Sequence, residues 1–139
     1  MKALVDTSVL VAAFLADHVH HSPSLEIFLR CKKQESFCAA HTLAELFASL
    51  TRLPGKHRVS GENAMLLLAQ VRERLTPIAL SEKEYYAAIE HASAMGVTGG
   101  AIYDALIASC ALKAKAEILY TWNVRHFEQL GIVRRVQTP

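Results

Sequence analysis

At 139 residues, 52% of them hydrophobic, the chain is long enough to bury a core of its own and too apolar for a disordered segment. Its three cysteines, Cys31, Cys38 and Cys110, are odd in number and form no CxxC pair, which argues against a disulfide framework or a zinc site and suits a reducing cytoplasm. A net charge of +2 does not by itself mark a nucleic-acid binder, and the apolar run Val9–Ala16 is far too short to span a bilayer.

Lys2–Val5 reads as the first strand, with Asp6 at its end. Asp6 is the only acid among residues 1–16. A carboxylate in such surroundings must be paired, hydrogen-bonded or metal-bound, because burying it bare is costly. Val9–Ala16 continues as a helix, apolar nearly all round and so covered on more than one side. Asp6 also interrupts the loose resemblance of this stretch to a signal peptide, and no cleavage-like region follows.

Asp17–His21 is a polar break, in which His18, His20 and His21 read as a surface loop rather than a metal cluster. Ser22-Pro23 predicts a helix start, with Ser22 as N-cap and Pro23 at the first helical position. Leu25, Phe28 and Leu29 share one face of that helix, and Arg30, Lys32 and Lys33 close it. Ser36–Ala40 reads as a short buried strand. Leu43, Leu46, Phe47 and Leu50 then fall at helical spacing, up to the Pro54-Gly55 turn. The segment from Arg52 to Arg58 is the most basic in the chain, by default a solvated turn.

Ser60 opens a helix striped by Ala64, Leu67, Leu68 and Val71, and Thr76–Leu80 follows as the third strand. Ser81 and Glu84 form a capping-box pattern for a helix that Gly96 ends. After the loop Val97–Gly100, a helix is expected over Ala101–Lys115, then a fourth strand over Glu117–Thr121. Asn123 stands where it can cap a short helix, Val124–Leu130, and Ile132–Val136 reads as an edge-like last strand. Strands alternating with helices predict one α/β domain over residues 1–139, with a parallel sheet covered on both faces.

In such sheets the C-terminal strand ends form the functional edge. Asp6 ends the first strand, Glu45 lies in the first turns of the helix after the second, Asp104 in the first turn of its own helix, and Asn123 directly after the fourth strand. Each has an ordinary reading: Asp6, Asp104 and Asn123 as caps or first-turn residues, Glu45 as a solvated face residue. What carries weight is that all four fall at one predicted edge. Clustered carboxylates repel, and a hard divalent cation removes the conflict. Oxygen-only donors point to Mg²⁺ or Mn²⁺. With three of the 13 acids in one site, ten acids remain elsewhere against 15 Lys and Arg, a mildly basic body that suits a phosphate substrate.

Four stretches carry a family resemblance: Val5-Asp6-Thr7-Ser8-Val9-Leu10, Leu43-Ala44-Glu45-Leu46, Tyr103-Asp104-Ala105-Leu106-Ile107-Ala108 and Thr121-Trp122-Asn123-Val124-Arg125-His126-Phe127. In this order and spacing the chain resembles PIN-domain ribonucleases, above all the VapC-type toxins of toxin–antitoxin pairs. The resemblance implies a three-layer α/β/α sandwich on a five-stranded, mainly parallel sheet. It implies Mg²⁺- or Mn²⁺-dependent cleavage of single-stranded RNA, leaving 5′-phosphate and 3′-hydroxyl ends. It also implies a cognate antitoxin and a homodimer.

Carried over, Asp6, Glu45 and Asp104 are the metal-binding acids, and Asn123 replaces a fourth acid found in many members. Thr7, Ser8 and Thr121 become supporting hydroxyls. Arg52, Lys56, Arg58 and Arg125 become candidate RNA contacts, and His41 and His126 flank the site. Asn123 removes one negative charge and leaves open one metal or two. It also leaves room for an RNA-binding module without catalysis. A haloacid-dehalogenase-like phosphatase would need a second Asp where Ser8 stands.

Overall fold

The computed structural model describes residues 1–139. Five strands alternate with helices: β1 (Ala3–Val5), α1 (Thr7–Phe14), α2 (His21–Arg30), β2 (Ser36–Ala39), α3 (Ala40–Thr51), α4 (Gly61–Arg74), β3 (Thr76–Ile78), α5 (Glu82–Ala94), α6 (Ala101–Lys113), β4 (Ile118–Tyr120), α7 (Val124–Leu130) and β5 (Val136–Gln137). The sheet order is β3-β2-β1-β4-β5, and every pairing is parallel.

The alternation of side chains along the strands divides the core in two. Leu4, Ala39 and Leu119 face α5, α6 and α7. Val5 and Cys38, one residue away from Leu4 and Ala39, face α1, α2, α3 and α4. The α/β/α sandwich follows directly. Helix α6 is apolar nearly all round, with Ala105–Ala108, Cys110 and Ala111 buried, because it packs on the sheet and also between α5 and α7.

The chain builds β1, β2 and β3 outward in one direction, then crosses back to place β4 on the other flank of β1. The carboxyl ends of β1 and β4 therefore form the switch point where such sheets leave a crevice. Tyr120 is paired with Val5, and the Asp6 amide donates to the Tyr120 carbonyl at 2.9 Å. That register sets Asp6 beside Thr121.

Several element ends differ from the sequence reading, and two of the differences have a physical cause in the fold. Helix α2 starts at His21, so Ser22 lies inside its first turn and does not cap it. His21 Nδ1 lies 2.9 Å from the Ala12 carbonyl, which fastens the helix start to α1. Pro23 is still tolerated, since first-turn amides need no helical acceptor. The last strand is Val136–Gln137, later and shorter than Ile132–Val136. Gly131 ends α7 at a φ of 64°, and Ile132 and Val133 pack against the core while the chain turns back to β4.

Candidate active site

Asp6 is 3% exposed at the end of the central strand. Its Oδ2 accepts hydrogen bonds from Ser8 Oγ and Thr121 Oγ1, both at 2.8 Å. Each hydroxyl also fastens the segment after β4: Ser8 Oγ accepts from the Trp122 amide at 3.0 Å, Thr121 Oγ1 from the Asn123 amide at 2.9 Å. The two hydroxyls lie 3.3 Å apart. One carboxylate oxygen thus ties β1, α1 and β4 together. Asp6 and Asn123 occupy N-cap positions, yet neither side chain makes the capping hydrogen bond.

Glu45 sits in the second turn of α3, half-buried. The Thr7 hydroxyl lies 3.0 Å from Glu45 Oε1 and 3.0 Å from the fully buried Thr42 hydroxyl, so α1 and α3 share one polar contact beside the acids. Asp104 projects from the first turn of α6, with His126 Nδ1 of α7 at 3.5 Å from its Oδ2.

The three carboxyls feel one another. Burial pushes the Asp6 carboxyl above its ordinary range, and the hydroxyls of Thr121 and Ser8 pull it back. Burial raises Glu45 as well, and the charges of Asp6 and Asp104 add to the rise while Thr7 and His41 oppose it. Asp104 is raised by burial and then by Asp6, with His126 opposing. An acidic centre of this kind lacks positive charge.

Its donors are oxygens alone: three carboxylates, supporting hydroxyls and the exposed amide of Asn123. No three His, Cys, Asp or Glu side chains stand close enough together to hold a metal ion by themselves. Oxygen donors favour Mg²⁺ over zinc, and Mg²⁺ keeps several waters and takes only one or two carboxylates directly. The residues present fit a hydrated hard cation.

Beside the acids opens a cleft of about 660 Å³, between the Met95–Ala101 turn and α7. Asp104, Asn123 and His126 line it on the side of the acids, and Thr98, Gln129 and Leu130 are also in its lining.

The sequence-predicted residues sort by position. Asp6, Glu45 and Asp104 are brought together, with Thr7, Ser8 and Thr121 at their backs. Arg52, Lys56 and Arg58 lie past the C-terminal end of α3, away from the turn that carries Glu45, and Arg58 Nε folds back onto the Leu53 carbonyl at 3.1 Å. Arg125 is exposed in the first turn of α7. Sequence reasoning did not single out Thr42, Ser24 or Tyr103. Thr42 was detectable as a polar residue three positions before Glu45 on a helix otherwise striped with leucine. Ser24, which accepts from Trp122 Nε1 at 2.8 Å, left no local signal.

Fold and site together define a class: an α/β/α domain whose switch point carries an acidic, oxygen-donor centre suited to a hard divalent cation. The PIN-domain family model matches residues 3–132, and the chain belongs to that family. Ribonuclease VapC40 of Mycobacterium tuberculosis is 36% identical over 114 residues, 82% of this chain and 81% of that protein. Ribonuclease VapC27 of the same organism is 32% identical over 131 residues, 92% of this chain and 91% of that protein. Among solved structures, VapBC2 from Rickettsia felis, bound to a DNA fragment from its promoter, matches with a TM-score of 0.69 at 22% identity, covering 100% of both chains.

Proposed function

We propose that this chain is an endoribonuclease of VapC type, the toxin of a toxin–antitoxin pair. The observation that carries the reading is the meeting of Asp6, Glu45 and Asp104 at the switch point of a PIN domain whose relatives, named ribonucleases, align along more than four-fifths of the chain. Asp6 is the fixed member, its Oδ2 held by two hydroxyls. Glu45 and Asp104 are half-buried and stand nearer the solvent side.

A Mg²⁺ or Mn²⁺ ion bound between these acids would hold a phosphate oxygen, make water a better nucleophile and stabilise the leaving oxygen. Asp6 and Asp104 supply the negative charge that binds the ion. Glu45, anchored by the Thr7 hydroxyl, would complete the ion's oxygen ligands or orient the attacking water. Asn123 offers a neutral carbonyl oxygen at the same edge. In-line attack by water leaves a 5′-phosphate and a 3′-hydroxyl.

The partner is an antitoxin that covers the acidic edge; the Rickettsia felis relative was crystallised as a VapBC complex. A homodimer and a cytoplasmic setting complete the reading, the latter in keeping with three free thiols. No helix is long and apolar enough to cross a membrane.

The test is RNA cleavage by purified protein with Mn²⁺, followed by chemical identification of the cut ends. Cleavage is expected in the wild type and lost in Asp6→Asn and in Asp104→Asn. Equal cleavage by both variants overturns the assignment of these acids, and no cleavage by the wild type leaves an RNA-binding module.

A further inference from the structure

Two aromatic pairs lie near the acids, and they are built differently. His20 stacks on Trp122 with centroids 3.6 Å apart and planes at 8°, but the indole N–H of Trp122 is tied to the buried Ser24 hydroxyl. That pair locks the end of β4 to α2. His41 and Tyr103 stack with centroids 5.1 Å apart and planes at 6°, and Tyr103 is 48% exposed. This pair is open to solvent.

Its position is set by the helices. His41 and Glu45 are four residues apart on α3 and share a face. Tyr103 and Asp104 are adjacent on α6, about 100° apart around its axis. The stack therefore spans from α3 to α6 alongside the two solvent-side acids. The cleft described above takes Gly100, Ala101 and Asp104 from this turn of α6 but not Tyr103. Asp104 thus has the cleft on one side and the stack on the other. A strand leaving the cleft across the acids next meets the phenol ring.

We infer that the His41–Tyr103 pair is a base-stacking subsite for the nucleotide beside the scissile phosphate of single-stranded RNA. The inference rests on the ribonuclease reading above. Every nucleobase has a π face, and an exposed aromatic ring accepts it without regard to sequence. The basic loop from Arg52 to Arg58 lies beyond the far end of α3, so its charge does not grip the strand at the reacting phosphate. A stacking surface at that point holds the chain in register instead. It selects unpaired RNA, because a base inside a duplex has no free face to offer.

The experiment uses a single-stranded RNA oligonucleotide spanning the mapped cut site and two derivatives, abasic at the nucleotide on either side of the cut. Steady-state cleavage is measured for wild type, Tyr103→Phe and Tyr103→Ala. One abasic derivative is expected to raise the wild-type KM by roughly 5- to 150-fold, the range for loss of one stacked base. Tyr103→Ala produces the same rise on the intact oligonucleotide with kcat changed little, Tyr103→Phe produces none, and Tyr103→Ala combined with that abasic derivative loses nothing more. Wild type that cuts both abasic derivatives as well as the intact RNA overturns the subsite and leaves the ribonuclease reading standing. So does a Tyr103→Ala defect that simply adds to the abasic one. Wild type that cuts no RNA overturns both.

Discussion

Asp6 and Thr121 lie 115 residues apart in the chain and meet through a 2.8 Å hydrogen bond at the ends of adjacent parallel strands. Thr121 is fully buried, and its hydroxyl also accepts from the Asn123 amide. Thr121→Val keeps the volume and removes both contacts. The buried Asp6 carboxylate then keeps Ser8 as its one side-chain partner, and the Asn123 amide loses its acceptor. The expected cost is about 1–3 kcal/mol in denaturant unfolding, together with a fall in kcat. Unchanged stability and turnover would show that Ser8 alone positions Asp6.

The acids oppose folding as long as no cation neutralises them. A carboxyl raised above its unfolded value binds its proton more tightly in the folded state, so its protonation supports folding. That support is present below the ordinary values of 3.8 for Asp and 4.5 for Glu and is lost as pH rises through the raised folded values. Metal-free wild type is expected to lose thermal stability as pH climbs above about 4. Asp104→Asn should flatten that slope and melt higher than wild type at neutral pH, while RNA cleavage falls by at least about 100-fold. Parallel melting curves for the two proteins across pH would contradict the origin assigned here to the shift.

Mn²⁺ should restore what the repulsion removes. At a concentration 100 times its dissociation constant, a cation bound only by the folded state adds about 2.7 kcal/mol. A rise in Tm with Mn²⁺ is expected for wild type and not for Asp6→Asn. A rise of equal size in both would place the ion elsewhere.

Much of the site could be read from the chain because its acids are conspicuous where they stand. Asp6 is isolated in an apolar stretch, Glu45 stands about 100° off the apolar line through Leu46, and Asp104 falls in the first turn of its helix. Local signals also held: Ser81 and Glu84 form the expected capping box. Relations between elements were not legible. Thr42 meets Thr7 only because α3 packs on α1, and His41 meets Tyr103 only because α3 and α6 flank the same edge. The start of α2 was misplaced for the same reason, since His21 is fixed by a carbonyl of α1. Spacing along a chain carries no information about the crossing of two helices.

Trp122 provides a test of that hidden packing. It is the chain's one tryptophan, and its Nε1 donates to Ser24, which is fully buried. Trp122→Phe leaves that hydroxyl without its donor and opens space beneath His20. A loss of about 1–3 kcal/mol is expected, read by circular dichroism. No loss would mean that Ser24 finds another partner at no cost.

The opposite corner of the fold is held by charge as well as by the capping box. Lys113 Nζ lies 2.7 Å from Glu84 Oε1, and this lysine holds the Glu84 carboxyl down to about 2. A depressed carboxyl supports folding above its unfolded value and loses that support as pH falls toward 2. Ser81→Ala is expected to cost about 1 kcal/mol through loss of the cap. A Tm indistinguishable from wild type would show that the helix start is held by packing alone.

The crossover that brings β4 beside β1 also fixes the order in which the candidate site is completed. Asp6 and Glu45 are synthesised early, but Asp104 follows only after β3 and α5, and Thr121 and Asn123 come after β4 itself. A nascent chain that has not yet reached β4 holds Asp6 and Glu45 without the residues that complete the candidate site. Late completion is a property of the strand order itself.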